Sequence, residues 1–323
     1  MTHPTNTEVS APLPFKEGVG VSLSIIIPTY NYVCAHLVCD LQKQCEEVQA
    51  MVEGFDYEII VADDASTDVE TTQKNAAIDC LPHCRYEMRD ANVGRAAIRN
   101  WLVKEARGEW LIIIDSDAEV ISDDFILRYM TQAKRGQAVI VGGLTTPHNC
   151  EKGCELRHRY EMAAESIRSL EARRKEPAMF FSTFNFMCPR TVLEAIPFDT
   201  RCKEYGYEDA LFGLEVSNSG IEISHIDNPL LHLGINSNEA FLSNSETALR
   251  TLRHLGTPMT TRSRIGRAAA HFTSTALRRK TILPAFLLLY KLSRPLVRRN
   301  LLSTRPSLRL FAFYKLGYYL SLP

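Results

Sequence analysis

At 323 residues, 45% of them apolar and 23% charged, the chain holds enough hydrophobic material for one large α/β domain plus an appendage, which excludes a disordered chain. The formal charge of −1 conceals an asymmetry: no Asp or Glu follows Glu246 but 15 Lys and Arg do, so the first 246 residues carry 22 basic against 38 acidic side chains. Nine cysteines, an odd number, and no apolar core of signal length in the first twenty residues point to reduced thiols in a cytoplasm and against a disulfide-built secreted fold.

Residues 1–20, rich in Pro, Thr and Gly, read as a mobile leader. "SLSIIIP" and "YEIIVAD" are short β-branched runs bounded by turn residues, and the pattern between them is helical from about Val33 to Val52. A second helix follows Ser66-Thr67-Asp68, a third runs from Gly94 to Ala106, and "EWLIIID" is the next buried strand. Continuous apolar strands alternating with helices predict a doubly wound, mostly parallel sheet with helices on both faces. Such sheets bind ligands at the carboxyl ends of their strands. Here those ends read Pro28-Thr29-Tyr30-Asn31, Asp63-Asp64 and Asp115-Ser116-Asp117.

Further along come a strand over Ala138 to Gly143 and a charged helix from about Gly153 to Lys175. "AMFFSTFNFMCPR" reads as an extended segment crossing the acceptor side of a cleft, "YGYEDALFGLEVSNSG" as a helix closed by Gly220, and "IEISHID" as a strand. From about Ala248 a basic tail mixes apolar and aromatic clusters with Arg and Lys. Its longest uncharged run, Thr281 to Tyr290, is ten residues, whereas crossing a bilayer takes about 20. Lying in a membrane interface fits it better, and its leucine runs favour lipid over nucleic acid; packing on the body or on a second subunit is the alternative. Cys80/Cys84 and Cys150/Cys154, with His83 and His148 nearby, are spaced more loosely than a structural zinc knuckle and lack its turn glycines.

Two carboxylates at i and i+2 on an extended strand end face one side and repel each other. A divalent cation removes that penalty, and an oxygen-rich site suits Mg²⁺ or Mn²⁺ held partly by substrate phosphates. Asp115-Ser116-Asp117 therefore sits where a diphosphate would bind, unless the pair merely caps a helix starting near Asp123.

"SIIIPTYN", "YEIIVADDASTD" and "NVGRAAIRNWLVKEARGEWLIIIDSD" together resemble a family 2 glycosyltransferase of the GT-A fold, over about Ser22 to Gly234. The resemblance implies an inverting enzyme with a nucleotide-sugar donor at the sheet edge. Pro28, Thr29 and Tyr30 would border the base and ribose, and Asp64 would accept from uracil N3–H. Asp63 would support the loop. Asn92 and Gly94 stand at a helix start, where free amides favour anions. Arg99, ahead of Arg95, would reach the nucleotide or its phosphates, with Asp115 and Ser116 beside the donor. Asp115, Asp117 and His232 would hold Mn²⁺ or Mg²⁺, with His225 as the competitor of His232. "YGYEDALFGLEV" matches the family's Glu-Asp element, so Asp209 would be the base and Glu208 its neighbour, or the reverse. Asn185 would lie beside the donor sugar, with Phe184 or Phe186 stacking on a sugar or in the core.

These readings give a leader (1–20), a GT-A domain (21–240) split into a nucleotide half (21–120) and an acceptor half (121–240), and a basic amphipathic helical tail (241–323). The expected enzyme builds a cell-surface or lipid-linked glycan from a UDP-hexose or UDP-N-acetylhexosamine. It would sit on the cytoplasmic face of a membrane, as a monomer or a homo-oligomer, with no nucleic-acid partner. A nucleotidylyltransferase and a non-catalytic nucleotide-sugar-binding subunit are the alternatives.

Overall fold

The computed structural model describes residues 21–136, 138–202 and 205–323; the leader expected over 1–20 lies outside them. The first half runs β1 (Val21–Thr29), α1 (Ala35–Met51), β2 (Phe55–Asp63), α2 (Val69–Ala76), β3 (Cys84–Met88), α3 (Arg95–Glu105) and β4 (Trp110–Ile114). These strands pair in parallel in the order β3-β2-β1-β4. Their apolar runs are continuous because both sets of alternating side chains are buried. Ile25, Ile27, Ile59, Val61, Ile112 and Ile114 pack with residues of α1, while Ile26, Ile60, Ala62, Leu111 and Ile113 pack with residues of α3 on the other face. Asp68 caps α2, accepting from Glu70 N–H.

The second half begins with β5 (Ala118–Glu119), α4 (Phe125–Lys134), β6 (Val139–Val141) and β7 (Leu144–Thr145). It continues with α5 (Glu155–Glu165), α6 (Leu170–Lys175), β8 (Asn185–Pro189), α7 (Arg190–Ala195), α8 (Glu208–Asn218), β9 (Ile223–His225) and β10 (Leu230–His232). β8 lies antiparallel between β4 and β6, giving a seven-stranded sheet, β3-β2-β1-β4-β8-β6-β9. The expected crossing of the acceptor side is thus corrected: this segment is an inner strand, and Phe186 and Met187 are fully buried. The single charged helix expected over 153–175 is two, because Ser169 starts α6 by accepting from Ala172 N–H.

A second sheet, β5-β10-β7, is small and decisive for the site. β10 runs antiparallel to β5, with His232 opposite Ala118 and Leu231 opposite Glu119. This register carries a late histidine to the residue next to Asp117.

The remaining chain is helical: α9 (Asn238–Leu255), α10 (Thr257–Thr260), α11 (Arg264–Thr273), α12 (Leu283–Leu301) and α13 (Leu308–Ser321). The boundary expected between 240 and 241 falls inside α9. Leu156 of α5 shares one apolar cluster with Phe241, Leu242, Phe311 and Tyr314, and Leu211 and Leu214 of α8 share another with Leu249, Leu252 and Tyr319. The tail therefore packs on the body. Among the described residues no helix is long and apolar enough to cross a membrane.

Asn185 ties the second half together from within. It is buried, accepts from Tyr129 Oη at 2.6 Å, and donates from Nδ2 to the carbonyls of Gly143 (2.9 Å) and Asn228 (2.8 Å). A side chain so committed is structural, which corrects its expected place beside the donor sugar. Asn185→Ala orphans the Tyr129 hydroxyl and the Asn228 carbonyl and leaves Gly143 O only the long bond from Leu230 N–H, so urea denaturation is expected to show a loss of roughly 2–4 kcal/mol.

Candidate active site

The strand ends meet as their motifs predicted. Thr29 pairs with Asp63 in the register of β1 and β2, and Asp64 N–H donates to Thr29 O at 2.9 Å. Asp63 is spent on support, accepting from Ser66 N–H at 2.6 Å and from the Tyr86 hydroxyl. Thr29 is buried and its hydroxyl donates to Tyr32 O; Pro28 is half-buried, and of the three residues expected at the base and ribose only Tyr30 is exposed. Asn31, at φ 49°, bolts this end of β1 to the loop before α2, accepting from Thr67 and Asp68 N–H.

Asp64 is buried and accepts from Val93 N–H at 2.8 Å and Gly94 N–H at 2.9 Å. Its carboxylate holds the loop at the head of α3, with a second lone pair left on each oxygen for another donor. Two amides of the anion site expected around Asn92 and Gly94 thus end on Asp64, and Asn92 itself is exposed. Gly94 turns this loop at φ 86°, where a side chain would be strained.

Asp115-Ser116-Asp117 is not extended. Ala118 N–H donates back to Asp115 O, making a turn that sends the two carboxylates to different partners. Asp115 Oδ1 accepts from Arg99 Nη2 at 2.6 Å, while Asp117 Oδ2 lies 3.4 Å from His232 Nε2. Ser116 is half-buried between them. Neither aspartate caps α4, since β5 intervenes and α4 begins at Phe125. The repulsion that the spacing implied is thus relieved for Asp115 by a guanidinium. Arg99, 1% exposed, does not reach out to a nucleotide, and its Nη1 lies 3.6 Å from Glu208 Oε1. Arg95, one turn earlier and half exposed, stands 3.8 Å from the same Glu208 oxygen and 4.9 Å over the Tyr205 ring. Of the two arginines, Arg95 has its charge open to the cleft.

Burial alone would raise the Asp117 carboxyl, but His232 beside it and Arg95 nearby more than offset this and hold it below its ordinary value. Leu233 N–H donates to Asp117 O at 2.8 Å, fixing the two segments. At Gly234 an added Cβ would fall 1.8 Å from Asp117 Oδ2, so only glycine lets the chain pass the carboxylate this closely. The Phe184 ring meets the His232 ring edge-on, with centroids 5.0 Å apart. His225 is elsewhere: buried, with Nδ1 3.2 Å from Arg173 Nη1 and Nε2 3.0 Å from Pro177 O. Burial lowers its imidazole to about 4, so it stays neutral and structural.

A divalent cation suits this donor set in part. Asp117 and His232 offer a carboxylate and an imidazole at one spot, and His232 Nδ1 is buried without a hydrogen-bond partner. Among the described residues no three His, Cys, Asp or Glu side chains converge on a metal position, the cysteine pairs included, and Asp115, engaged by Arg99, stands apart from the expected trio. Two protein donors, with the remaining positions left to phosphate and water, match the habits of Mg²⁺ and Mn²⁺.

On the other side of the arginines, α8 opens with Glu208 and Asp209, preceded by Tyr207 in the left-handed region at φ 69°. Glu208 is buried against Arg99 and Arg95. Asp209 accepts from Ala210 N–H at 2.6 Å, and burial together with the Glu208 charge pushes its carboxyl up to about 6. The two acids thus play different parts, since one is neutralised by guanidinium groups and the other is poised near neutrality to exchange a proton.

This geometry, a nucleotide-type sheet edge facing a perturbed carboxyl, is that of a group-transfer enzyme, and the chain belongs to glycosyl transferase family 2, whose sequence model matches residues 24–196. It is a GT-A transferase, which sets aside the nucleotidylyltransferase reading. The poly(ribitol-phosphate) beta-glucosyltransferase of Bacillus spizizenii is 32% identical over 135 residues, 38% of this chain and 19% of that relative. The succinoglycan biosynthesis protein ExoO of Rhizobium meliloti is 26% identical over 170 residues, 52% of this chain and 48% of that one. In both cases the match spans less than half of the relative. Mannosyltransferase PcManGT from Pyrobaculum calidifontis, solved in complex with GDP-Man and Mn²⁺, matches with a TM-score of 0.52 at 15% identity, covering 94% of this chain and 86% of that one, a likeness of fold.

Three features that frame the site went unread in the sequence: Tyr205, Gly234 and Tyr32, whose hydroxyl burial and then the nearby Asp117 charge push up. Only Gly234 left a local signal, in its place directly after His232-Leu233. Arg99→Met would leave Asp115 and Glu208 without their shared guanidinium. Thermal unfolding is expected to show a loss of about 3–5 kcal/mol, as for breaking a buried ion pair.

Proposed function

We propose that the protein transfers a sugar, with inversion, from a nucleotide-sugar donor to a glycan or lipid-linked acceptor in cell-surface polysaccharide synthesis. The donor is a UDP-hexose or UDP-N-acetylhexosamine. The observation that carries this reading is the division of labour around Arg95 and Arg99, with Asp117 and His232 on one side and the raised Asp209 on the other. Supporting it, one relative is named for glucosyl transfer onto poly(ribitol phosphate) and another for succinoglycan synthesis, and the fold neighbour was solved with GDP-Man and Mn²⁺.

In the proposed reaction the deprotonated Asp209 takes the proton of an acceptor hydroxyl. The hydroxyl oxygen forms its bond to the anomeric carbon from the face opposite the diphosphate, and the departing C–O electron pair leaves with the diphosphate. Asp117 and His232 would hold Mn²⁺ or Mg²⁺, which would supply positive charge to that leaving group. Arg95 adds a fixed cation beside it, while Glu208 holds Arg95 and Arg99 in place. Asp64 orients the loop over which the base lies and keeps acceptor capacity for uracil N3–H.

Calorimetric titration of UDP and GDP, with and without Mn²⁺, tests the donor half. UDP binding that needs both the metal and Asp117 is expected, and Asp117→Asn should weaken it at least about tenfold. Metal-independent binding that survives Asp117→Asn would refute the metal assignment.

Asp209 tests the chemistry. Its carboxyl is raised, so in the folded protein it holds its proton to higher pH than in the unfolded chain and must lose it to act. kcat/KM is expected to fall on the acid side with a limb near pH 6, and stability contributed by the protonated form is lost as pH rises from about 4 through 6. Asp209→Asn should lower kcat by about 10³-fold with donor binding kept. Unchanged transfer would remove Asp209 from the reaction.

A further inference from the structure

α12 presents its apolar residues to both sides. At about 100° per residue, Tyr290, Val297 and Leu301 face the protein and are buried. Leu289, Leu292 and Leu296, spaced three and four apart, lie on the other side, with Leu288 beside them, exposed Ala285 one turn before Leu289, and Ile282 in the π turn that precedes the helix. Among these, Ile282, Leu288, Leu289, Leu292 and Leu296 are 47%, 58%, 57%, 71% and 72% exposed. Scattered exposed leucines are ordinary on a protein surface, but a row along one helix face is not.

The row is held firmly. At Gly317 of α13 an added Cβ would lie 2.2 Å from the Tyr290 ring, so the two helices cross in close contact. Glu246, the last acid of the chain, accepts from the Tyr314 hydroxyl and lies 3.8 Å from Arg294 and 3.9 Å from Arg298 of α12. Around the leucines, Arg279, Lys280, Lys291 and Arg299 are exposed, and no carboxylate side chain follows Glu246 to answer them.

We propose that the outward face of α12 lies in the headgroup region of an anionic bilayer, its leucines in the acyl boundary and its cations on the lipid phosphates. Charge selects this occupant. A second copy seated on the same face would bring two acid-free cationic rims together, whereas an anionic surface pairs with every one of them. The inference does not depend on the transfer chemistry.

Sedimentation of the full chain with sucrose-loaded vesicles tests it. Partition onto phosphatidylglycerol vesicles is expected to exceed that onto phosphatidylcholine by at least about tenfold at low salt and to fall as salt is raised. The variant Leu289→Gln/Leu292→Gln/Leu296→Gln, altered only at exposed positions, should lose at least about tenfold of that partition with UDP binding and circular dichroism unchanged. Lys291→Glu/Arg299→Glu, which keeps every leucine, should lose the preference for phosphatidylglycerol. Absence of binding to phosphatidylglycerol, or equal binding by wild type and the leucine variant, would overturn the proposal. So would a wild-type dimer that the leucine variant makes monomeric while vesicle binding persists.

Discussion

Arg99 is a full charge with almost no contact with water, a placement that is tolerable only because carboxylates meet it. Asp115 comes from the end of β4 and Glu208 from the start of α8, so the guanidinium belongs equally to the first and the second half of the domain. Around this point the two halves are held in one arrangement. Its Nη1 makes no hydrogen bond, and the pairing with Glu208 is one of charge across 3.6 Å. Such an interaction fixes polarity more than exact distance, and leaves the short, directional bond for Asp115.

The settled arginine also explains why its neighbour is available. Arg95 shares a helix face with Arg99 but stands nearer the solvent, so Glu208 restrains it without burying it. One turn of α3 therefore supplies a structural cation and a cation open to ligand, a distinction made by depth alone. The same logic separates Glu208 from Asp209: adjacent on the chain, they diverge by about 100° around α8, and only the first reaches the arginines.

What the sequence disclosed was what local chemistry dictates. The strands of the first half read correctly because a doubly covered parallel sheet demands unbroken apolar runs, and Asp68 marked a helix start because caps act within a few residues. Long-range pairings left no such trace. β8 is written like any extended segment, and nothing near Asn185 announces that Tyr129, Gly143 and Asn228 will meet there. The turn at Asp115-Ser116-Asp117 hid for a related reason: two acids at i and i+2 suggest one ligand, and only the position of Arg99, sixteen residues earlier, shows that they serve two. The place of His232 beside Asp117 comes from strand pairing, and the structural role of His225 from its partners Arg173 and Pro177; neither is written near the residue itself.

The antiparallel pairing of His232 with Ala118 has a consequence for synthesis. The parallel strands that bear Asp64 and Asp115 are complete once β4 has left the ribosome, and domains fold broadly as they emerge. Asp117 must wait for its imidazole until β10 is made, after β6 to β9 in the chain. A nascent chain can thus hold the finished parallel edge, with Asp64 and Asp115 in place, before either the His232 imidazole or the Asp209 carboxyl has been made.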